Sequence, residues 1–491
     1  MGSSYALPAA ILTSPATSRE PGLLLISPNG VYRFWEHVGM ALSGVDKFIE
    51  GQLNDLSDGE TVTGLFESDP SHYILTTSLT NLKHVVLAPS QGRLYPIIRP
   101  FPRTRGVFAR LFSSGAYSTS EQFAALTLSQ PDSFGSRDLF AIGERSVQVW
   151  SIGYASAAAS SSNASKFVGQ YHIRDAIADR IIPGSGFDIH KARLSVSMLD
   201  GAVTKDGKLA VLVSYITPNK ETNDSDQLQS YALCLLVHTQ DPTQPWSVEK
   251  IQELNYQAHL DPRPYSIPKL VVYEGGPAFF VVFSDAILIS TLVESLKYSM
   301  LLPLQYPLNN KFIGFGITND PTRALASPSN SQVLESTKAS IYTFAVYGGI
   351  ISTQLDLEKL EDDIKKQIDP TTRLTSRLKS RLEQAIFYGD KQDNPISFAI
   401  PNGHVEGDLQ EATKSVSKDI LASRSTNMPV ILDLRAQIND RAVRCYKLIQ
   451  FISENGLLGK LAPSTRRQLC DDAEKLVAAN ELWLHENSEE A

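Results

Sequence analysis

Between Thr61 and Pro100 the chain reads "TVTGLFESDPSHYILTTSLTNLKHVVLAPSQGRLYPIIRP". It holds four β-type runs, TVTGLF, YILTTSL, KHVVLAP and RLYPIIRP, separated by turn residues, with Ser90-Gln91-Gly92 as a hairpin turn. Four strands in about 40 residues is the length of one propeller blade.

The same pattern recurs on both sides. "DLFAIGERSVQVWSI" (Asp138 to Ile152), "KDGKLAVLVSY" with "SYALCLLVHT", "PKLVVYEGGPAFFVVFSDAILIST" and "SIYTFAVYGGIISTQL" each read as a hairpin around a Gly- or Asp-containing turn. "NGVYRFW", ending at Trp35, and "RSVQVW", ending at Trp150, share a turn, an alternating run and a closing Trp. Alternation sends one face to the core and leaves the large ring at the strand end, where it can wedge between neighbouring sheets. A sandwich with one core has no need of so many strand clusters, so the repeats predict a β-propeller of about five blades plus a fragment.

At Asp356 the period changes. Leu355, Leu357, Leu360, Ile364 and Ile368 fall at helical spacing, and a second helix is expected from Thr372 to Tyr388. Further helices are expected over Gly407–Ser423, Pro429–Glu454 and Pro463–Leu484. Pro429 and Pro463 mark first turns, Ser464 a cap and Asn455-Gly456 a stop. The predicted fold class is mainly β with α: a flexible segment over 1–20, a propeller over 21–355 and an α-helical stack over 356–491.

Composition excludes several functions. With 42% hydrophobic and 20% charged residues in 491, the chain can bury a sizeable core. Its net charge of −8 and its lack of any basic run longer than a pair argue against direct nucleic-acid binding. Cys234, Cys445 and Cys470 lack the spacing of a zinc site or a disulfide framework and suit a reducing compartment. No charged leader precedes the short apolar run near the N-terminus and no 18-residue apolar segment lies beyond it, so neither secretion nor membrane spanning is expected.

Catalytic motifs are also missing. No HExxH, P-loop lysine or G-x-S-x-G elbow occurs, and "PGSGF" (Pro183 to Phe187) reads as a turn. His72 and His84 can meet across a blade but read as solvated strand residues. The pairs Asp362-Asp363 and Asp471-Asp472 read as solvated helix faces. The chain is therefore read as a non-enzyme with no cofactor and no metal.

One stretch asks for a partner. Placing "GVFARLFSSGAY" (Gly106 to Tyr117) on a helical wheel gathers Val107, Leu111, Gly115, Phe108 and Phe112 in one stripe, with Arg110, Ser113 and Ser114 opposite. Apolar anchors facing Ser rather than Lys describe a helix that inserts between lipid headgroups where a bilayer is strongly curved, and not one drawn by lipid charge. The same pattern also fits a short helix folded on its own blade.

The C-terminal region from "EGDLQEATKSVSKDILASRS" onward, above all "FISENGLLGKL" (Phe451 to Leu461) and "AEKLVAA" (Ala473 to Ala479), resembles the start of the helical domain of the nucleoporin 133 family. "GLLLISPNGVYRFWEHV" (Gly22 to Val38) is similar to a propeller segment of that family. The resemblance implies a seven-bladed propeller, a lipid-packing sensor in one propeller loop and a long helical stack. The sensor falls on the segment holding Val107, Phe108, Leu111, Phe112 and Gly115. Trp35 comes too early for a complete ring and the chain stops soon after Trp483, so the family pattern is expected to be shortened at both ends.

The function implied is a structural scaffold of the nuclear pore complex at the nuclear envelope, supporting pore assembly, protein transport and mRNA export. Its implied partners are other scaffold nucleoporins of the Y-shaped complex and the curved pore membrane. A vesicle-coat or tethering adaptor, built from a propeller plus helices, is the alternative.

Overall fold

The computed structural model describes the chain except residues 1–6, 14–19, 45–46, 91, 103–121, 134, 154–164, 185–186, 219–226, 240–244, 260–267, 274–277, 293–297, 318–337, 359–361, 363–369, 390–393, 399, 401–405, 426 and 489–491. It divides into two compact units, Met1–Glu274 and Gly275–Ala491.

The first unit is a succession of four-stranded antiparallel meanders, each strand hydrogen-bonded to the next in sequence. The first sheet contains β1 (Ala9–Thr13), β2 (Gly22–Ile26), β3 (Val31–Trp35) and β4 (Ile49–Gln52). The stretch from Thr61 to Pro100 forms the second: β5 (Val62–Asp69), β6 (His72–Thr77), β7 (Leu82–Ser90) and β8 (Arg93–Pro100). A third holds β9 (Phe123–Leu128), β10 (Ser136–Gly143), β11 (Val147–Gly153) and β12 (Ser165–Tyr171). The fourth has β13 (Ser197–Val203), β14 (Leu209–Pro218), β15 (Gln227–His238) and β16 (Trp246–His259), and β17 (Lys269–Val272) comes after it.

Alternation decides how these sheets stack. Leu24 and Phe34 of the first sheet share a buried cluster with Tyr73, Leu75 and Val85 of the second. Ile74 and Leu82 on the second sheet meet Leu139, Ala141 and Trp150 of the third. The third and fourth join through Phe140, Val149, Val211 and Cys234. Each internal sheet thus buries both faces, which period-2 side-chain alternation permits only if apolar residues occupy both sets of positions. The runs YILTT and FAIG meet that condition, being buried almost throughout.

A shared turn holds the hairpins. In Ser27–Val31, Ser68–His72, Thr77–Asn81 and Thr204–Lys208 a Ser or Thr opens a five-residue frame whose fourth residue is left-handed: Gly30 (φ 85), Ser71 (φ 67), Thr80 (φ 56) and Gly207 (φ 78). The opening hydroxyl donates to the carbonyl of the fifth residue from Ser27, Ser68 and Thr204, and accepts the Asn81 amide at Thr77. Left-handed backbone costs an L-residue about 1–2 kcal/mol, and a β-branched one lies at the upper end. Thr80→Gly is therefore expected to stabilise the protein by about 0.5–1 kcal/mol after the added chain entropy of glycine is subtracted. Urea unfolding with an unchanged m value checks this, and an equal or lower midpoint would contradict it.

Two features of this unit differ from the sequence expectations. Ala9–Thr13 lies inside the segment 1–20 read as flexible, yet it pairs with β2 from Ala9↔Ile26 to Thr13↔Gly22, because Ile11 faces the core across from Leu24. Helices α1 (Val38–Leu42), α2 (Arg174–Ile181) and α3 (Phe187–Leu194) interrupt the meanders, and the sequence reading had no helix there. The last two are pinned by the buried Arg174, whose guanidinium donates to the carbonyls of Arg193 and Leu194 at 3.3 and 3.0 Å.

In the second unit β18 (Ala278–Val282), β19 (Ala286–Thr291) and β20 (Ser299–Pro303) form one meander, and β21 (Phe312–Ile317), β22 (Lys338–Ala345) and β23 (Gly349–Asp356) a three-stranded one. Four helices complete the unit: α4 (Pro370–Tyr388), α5 (Glu406–Leu421), α6 (Leu434–Glu454) and α7 (Pro463–Ser488). Leu382, Ala412, Val416, Leu448 and Ile452 fill their common core. Helix α6 begins at Leu434 and not at Pro429, because the Asp433 carboxylate accepts the Ala436 amide at 2.7 Å and caps it there. It ends as expected at Asn455-Gly456, where Gly456 is left-handed (φ 67) and the Leu457 amide reaches back to Ile452. Leu355 and Asp356, read as the start of a helix, belong to β23.

Candidate functional site

Val107, Phe108, Leu111, Phe112 and Gly115 lie within 103–121, outside the described residues. The structure does show both ends of that segment. Phe101, just past β8, is 6% exposed and its amide donates to the Leu82 carbonyl at 3.0 Å. Its ring sits edge-on to Trp150, centroids 5.2 Å apart, and Trp150 in turn meets Phe167 at 4.9 Å. Phe123, the first residue of β9, packs against the same cluster. Both flanking residues thus belong to one apolar patch shared by the second and third sheets.

Trp150 fulfils the wedge role read from "RSVQVW", since it is 1% exposed and joins two sheets. Trp35 does not: it is half-buried and meets Phe48, over which the Arg33 guanidinium lies at 4.8 Å. Phe101 went unread in the sequence; its one signal was an aromatic residue held between prolines at the end of a strand.

His84 adjoins this patch. Its ring stacks on His72 with centroids 5.4 Å apart and meets Phe101 edge-on at 6.3 Å. The reading of these histidines as solvated is corrected for His84, since Phe101 covers its ring. Burial, then the neighbouring His72 and Arg99, lower its pKa from the ordinary 6.5 to about 4. As pH falls below 6.5 the unfolded chain takes up a proton that the folded protein refuses until about 4. Stability contributed by neutral His84 is therefore complete above pH 6.5 and is lost by pH 4, an expected loss of about 3 kcal/mol. Urea midpoints across this range should fall less steeply in His84→Phe; identical slopes would refute the assignment.

The remaining polar chemistry is structural. Asp472, read as part of a solvated acidic pair, is 3% exposed and accepts the Ser417 hydroxyl at 2.8 Å, tying α7 to α5; Asp471 is exposed as expected. Burial pushes the Cys234 thiol up to about 12 and Cys445 to about 11, far from the range of a reactive thiolate. Among the described residues no three His, Cys, Asp or Glu side chains gather as a metal site requires, and no helix is long and apolar enough to cross a membrane.

No family model matches the chain. It is similar to nucleoporin NUP133 of Chaetomium thermophilum, 22% identical with 97% of this chain and 37% of the relative covered. It is similar also to nucleoporin nup132 of Schizosaccharomyces pombe, 23% identical with 91% and 36% covered. The chain thus spans little more than a third of the length of these curated relatives. Among solved structures, the Vanderwaltozyma polyspora Nup133 β-propeller domain overlaps 70% of this chain and 81% of its own, at 16% identity and a TM-score of 0.48.

Proposed function

As a member of the nucleoporin 133 family, this chain, we propose, is a structural scaffold component of the nuclear pore complex at the nuclear envelope. The observation that carries the proposal is likeness to two fungal nucleoporins over more than nine-tenths of its length. The order of elements agrees with that role: meander sheets offer broad rigid surfaces, and the helices α4 to α7 offer faces on which a stack extends. In this reading 21–355 form a propeller domain and 356–491 begin a helical stack. The chain acts by geometry, without catalysis, and through it supports pore assembly, protein transport and mRNA export. Its partners are other scaffold nucleoporins of the Y-shaped complex, with no direct contact to nucleic acid.

The finer proposal concerns the membrane. Val107, Phe108, Leu111, Phe112 and Gly115 form an apolar stripe facing Ser and Arg, a pattern suited to packing defects in a curved bilayer. Three partly inserted anchors supply about 4–6 kcal/mol before ordering costs, so one copy binds weakly and an array binds by effective concentration. Phe101 and Phe123, which flank the segment, pack in one apolar cluster and so hold its two ends near each other, which suits a membrane-contact loop.

Two experiments test these claims separately. A fluorescently tagged chain should mark a punctate nuclear rim; concentration at Golgi or endoplasmic-reticulum exit sites would favour a vesicle-coat adaptor and overturn the scaffold reading. In flotation, neutral liposomes of small radius should bind more chain than large ones, and Phe108→Asp with Leu111→Asp should abolish the difference. Equal binding at all radii, or no loss in the double variant, would remove the membrane contact.

A further inference from the structure

Within the second unit the strands end at Asp356 and the helices follow, so a hinge would be expected between them. Between α4 and α5, however, the chain returns to the strands. Leu304, just past β20, and Ile396 form an antiparallel bridge. The Gln305 amide donates to the Pro395 carbonyl at 2.6 Å, and the Ser397 amide to the Pro303 carbonyl at 2.8 Å. The Gln305 side chain adds a bond to the Ile396 carbonyl at 3.1 Å. Residues 394–398 thus lie along the end of β20 as a short extra strand.

The same residues are tied to the helices. The Asn394 side chain donates to the Tyr388 carbonyl at the end of α4 at 2.8 Å and accepts the Ile396 amide at 3.0 Å. The Arg381 guanidinium on α4 donates to the Phe398 carbonyl at 3.4 Å. Ile396 is 4% exposed, and Ile400 is buried in one cluster with Leu378, Leu382 and Ile386 of α4. Pro395 reaches a third element. A Cβ added to Gly348, in the turn between β22 and β23, would come within 2.7 Å of its ring, so only glycine permits this approach.

We propose that 394–398 is a strap that locks the helical layer to the meanders of the second unit, so that strands and helices move there as one body. A single covalent connection leaves two packed bodies free to swivel, and inter-domain motion is the ordinary expectation unless a second attachment opposes it. The strap is such an attachment, because the chain running from β23 through α4 returns to the strands and closes on them. Opening it would carry Ile396 and Ile400 into water and break the Gln305 and Ser397 bonds together. The lock extends beyond α4, since α4 to α7 share one core. It rests on contacts within the chain and holds whether or not the chain serves the pore.

The test is double electron–electron resonance on the whole chain, with Cys470, the exposed native thiol, replaced by Ser. Nitroxides are placed at Ser352→Cys on β23 and Asn439→Cys on α6, both exposed positions. A single narrow distance distribution is expected. Ser397→Pro removes the amide that donates to Pro303, and Ile396→Asp puts a carboxylate where the strap is buried. Each should about double the width of the distribution or add a second distance. A second pair of labels, Asn439→Cys with Glu474→Cys, lies wholly within α6 and α7 and should stay narrow in every variant. A broad distribution between Ser352 and Asn439 in the otherwise unaltered chain would overturn the proposal, as would a width unchanged by both substitutions. Broadening of the helix pair would overturn it too, because the strap would then hold the helices together and not lock them to the strands.

Discussion

Trp150→Ala is expected to lower the unfolding free energy by about 3–5 kcal/mol, the range for removing a large aromatic from a packed core. The indole is 1% exposed and lies between Phe101 and Phe167, with Ile74, Leu82, Leu139 and Ile152 completing the cluster. Two sheets would lose their common side chain at once, and collapse around the cavity is limited because each sheet is held by its own hydrogen-bond ladder. Trp150→Phe keeps a ring for Phe101 to pack on and should cost less than half as much. Urea unfolding followed by circular dichroism measures both. A loss below about 1 kcal/mol for the alanine variant, the usual scale of a surface substitution, would mean that the cluster does not join the sheets.

Alternation made most of the strands legible. The four runs between Thr61 and Pro100 became β5 to β8 almost residue for residue, because turn residues bound them and apolar side chains recur at spacing two. Helix ends with a local chemical cause were legible too, as at Gly456 and Pro463. Misreadings occurred where two local causes competed. Pro429 offers a first-turn residue, but Asp433 offers a side-chain acceptor further along, and the capped start is the one adopted. Helices α2 and α3 escaped notice because their apolar faces are short and their anchor, Arg174, belongs to a residue type that is rarely buried.

The apolar stripe of Val107, Phe108, Leu111 and Phe112 can be read on a wheel, and it lies outside the described residues. The patch that flanks that segment joins Phe101, Phe123 and Trp150 across two sheets. Such a contact depends on pairing register, which local sequence specifies only through the turns.

Asp200→Ala is expected to cost about 3 kcal/mol at pH 7, for a reason unrelated to apolar packing. Asp200 sits at a bulge in β13, 7% exposed, and its carboxylate accepts the Gly201 amide at 3.0 Å and the Leu270 amide at 2.8 Å. It thereby ties β13 to β17, with the Lys269 ammonium 3.9 Å away. Alanine removes the acceptor from both amides and leaves Lys269 without this counter-charge. Asparagine keeps one acceptor and points a donor at the other amide, so it should fall between wild type and alanine. The pH dependence distinguishes this residue from His84. Burial raises the Asp200 pKa above the ordinary 3.8, against the opposing pull of Lys269 and the two amides. Between 3.8 and that raised value the folded protein holds a proton that the unfolded chain has released, so this carboxyl adds stability as pH falls. His84 removes stability over its own window from pH 6.5 to about 4. Comparing wild type with Asp200→Asn in a His84→Phe background isolates the carboxyl. A difference that grows as the pH falls through this window supports the buried-acceptor role, and a flat one would place Asp200 in contact with water.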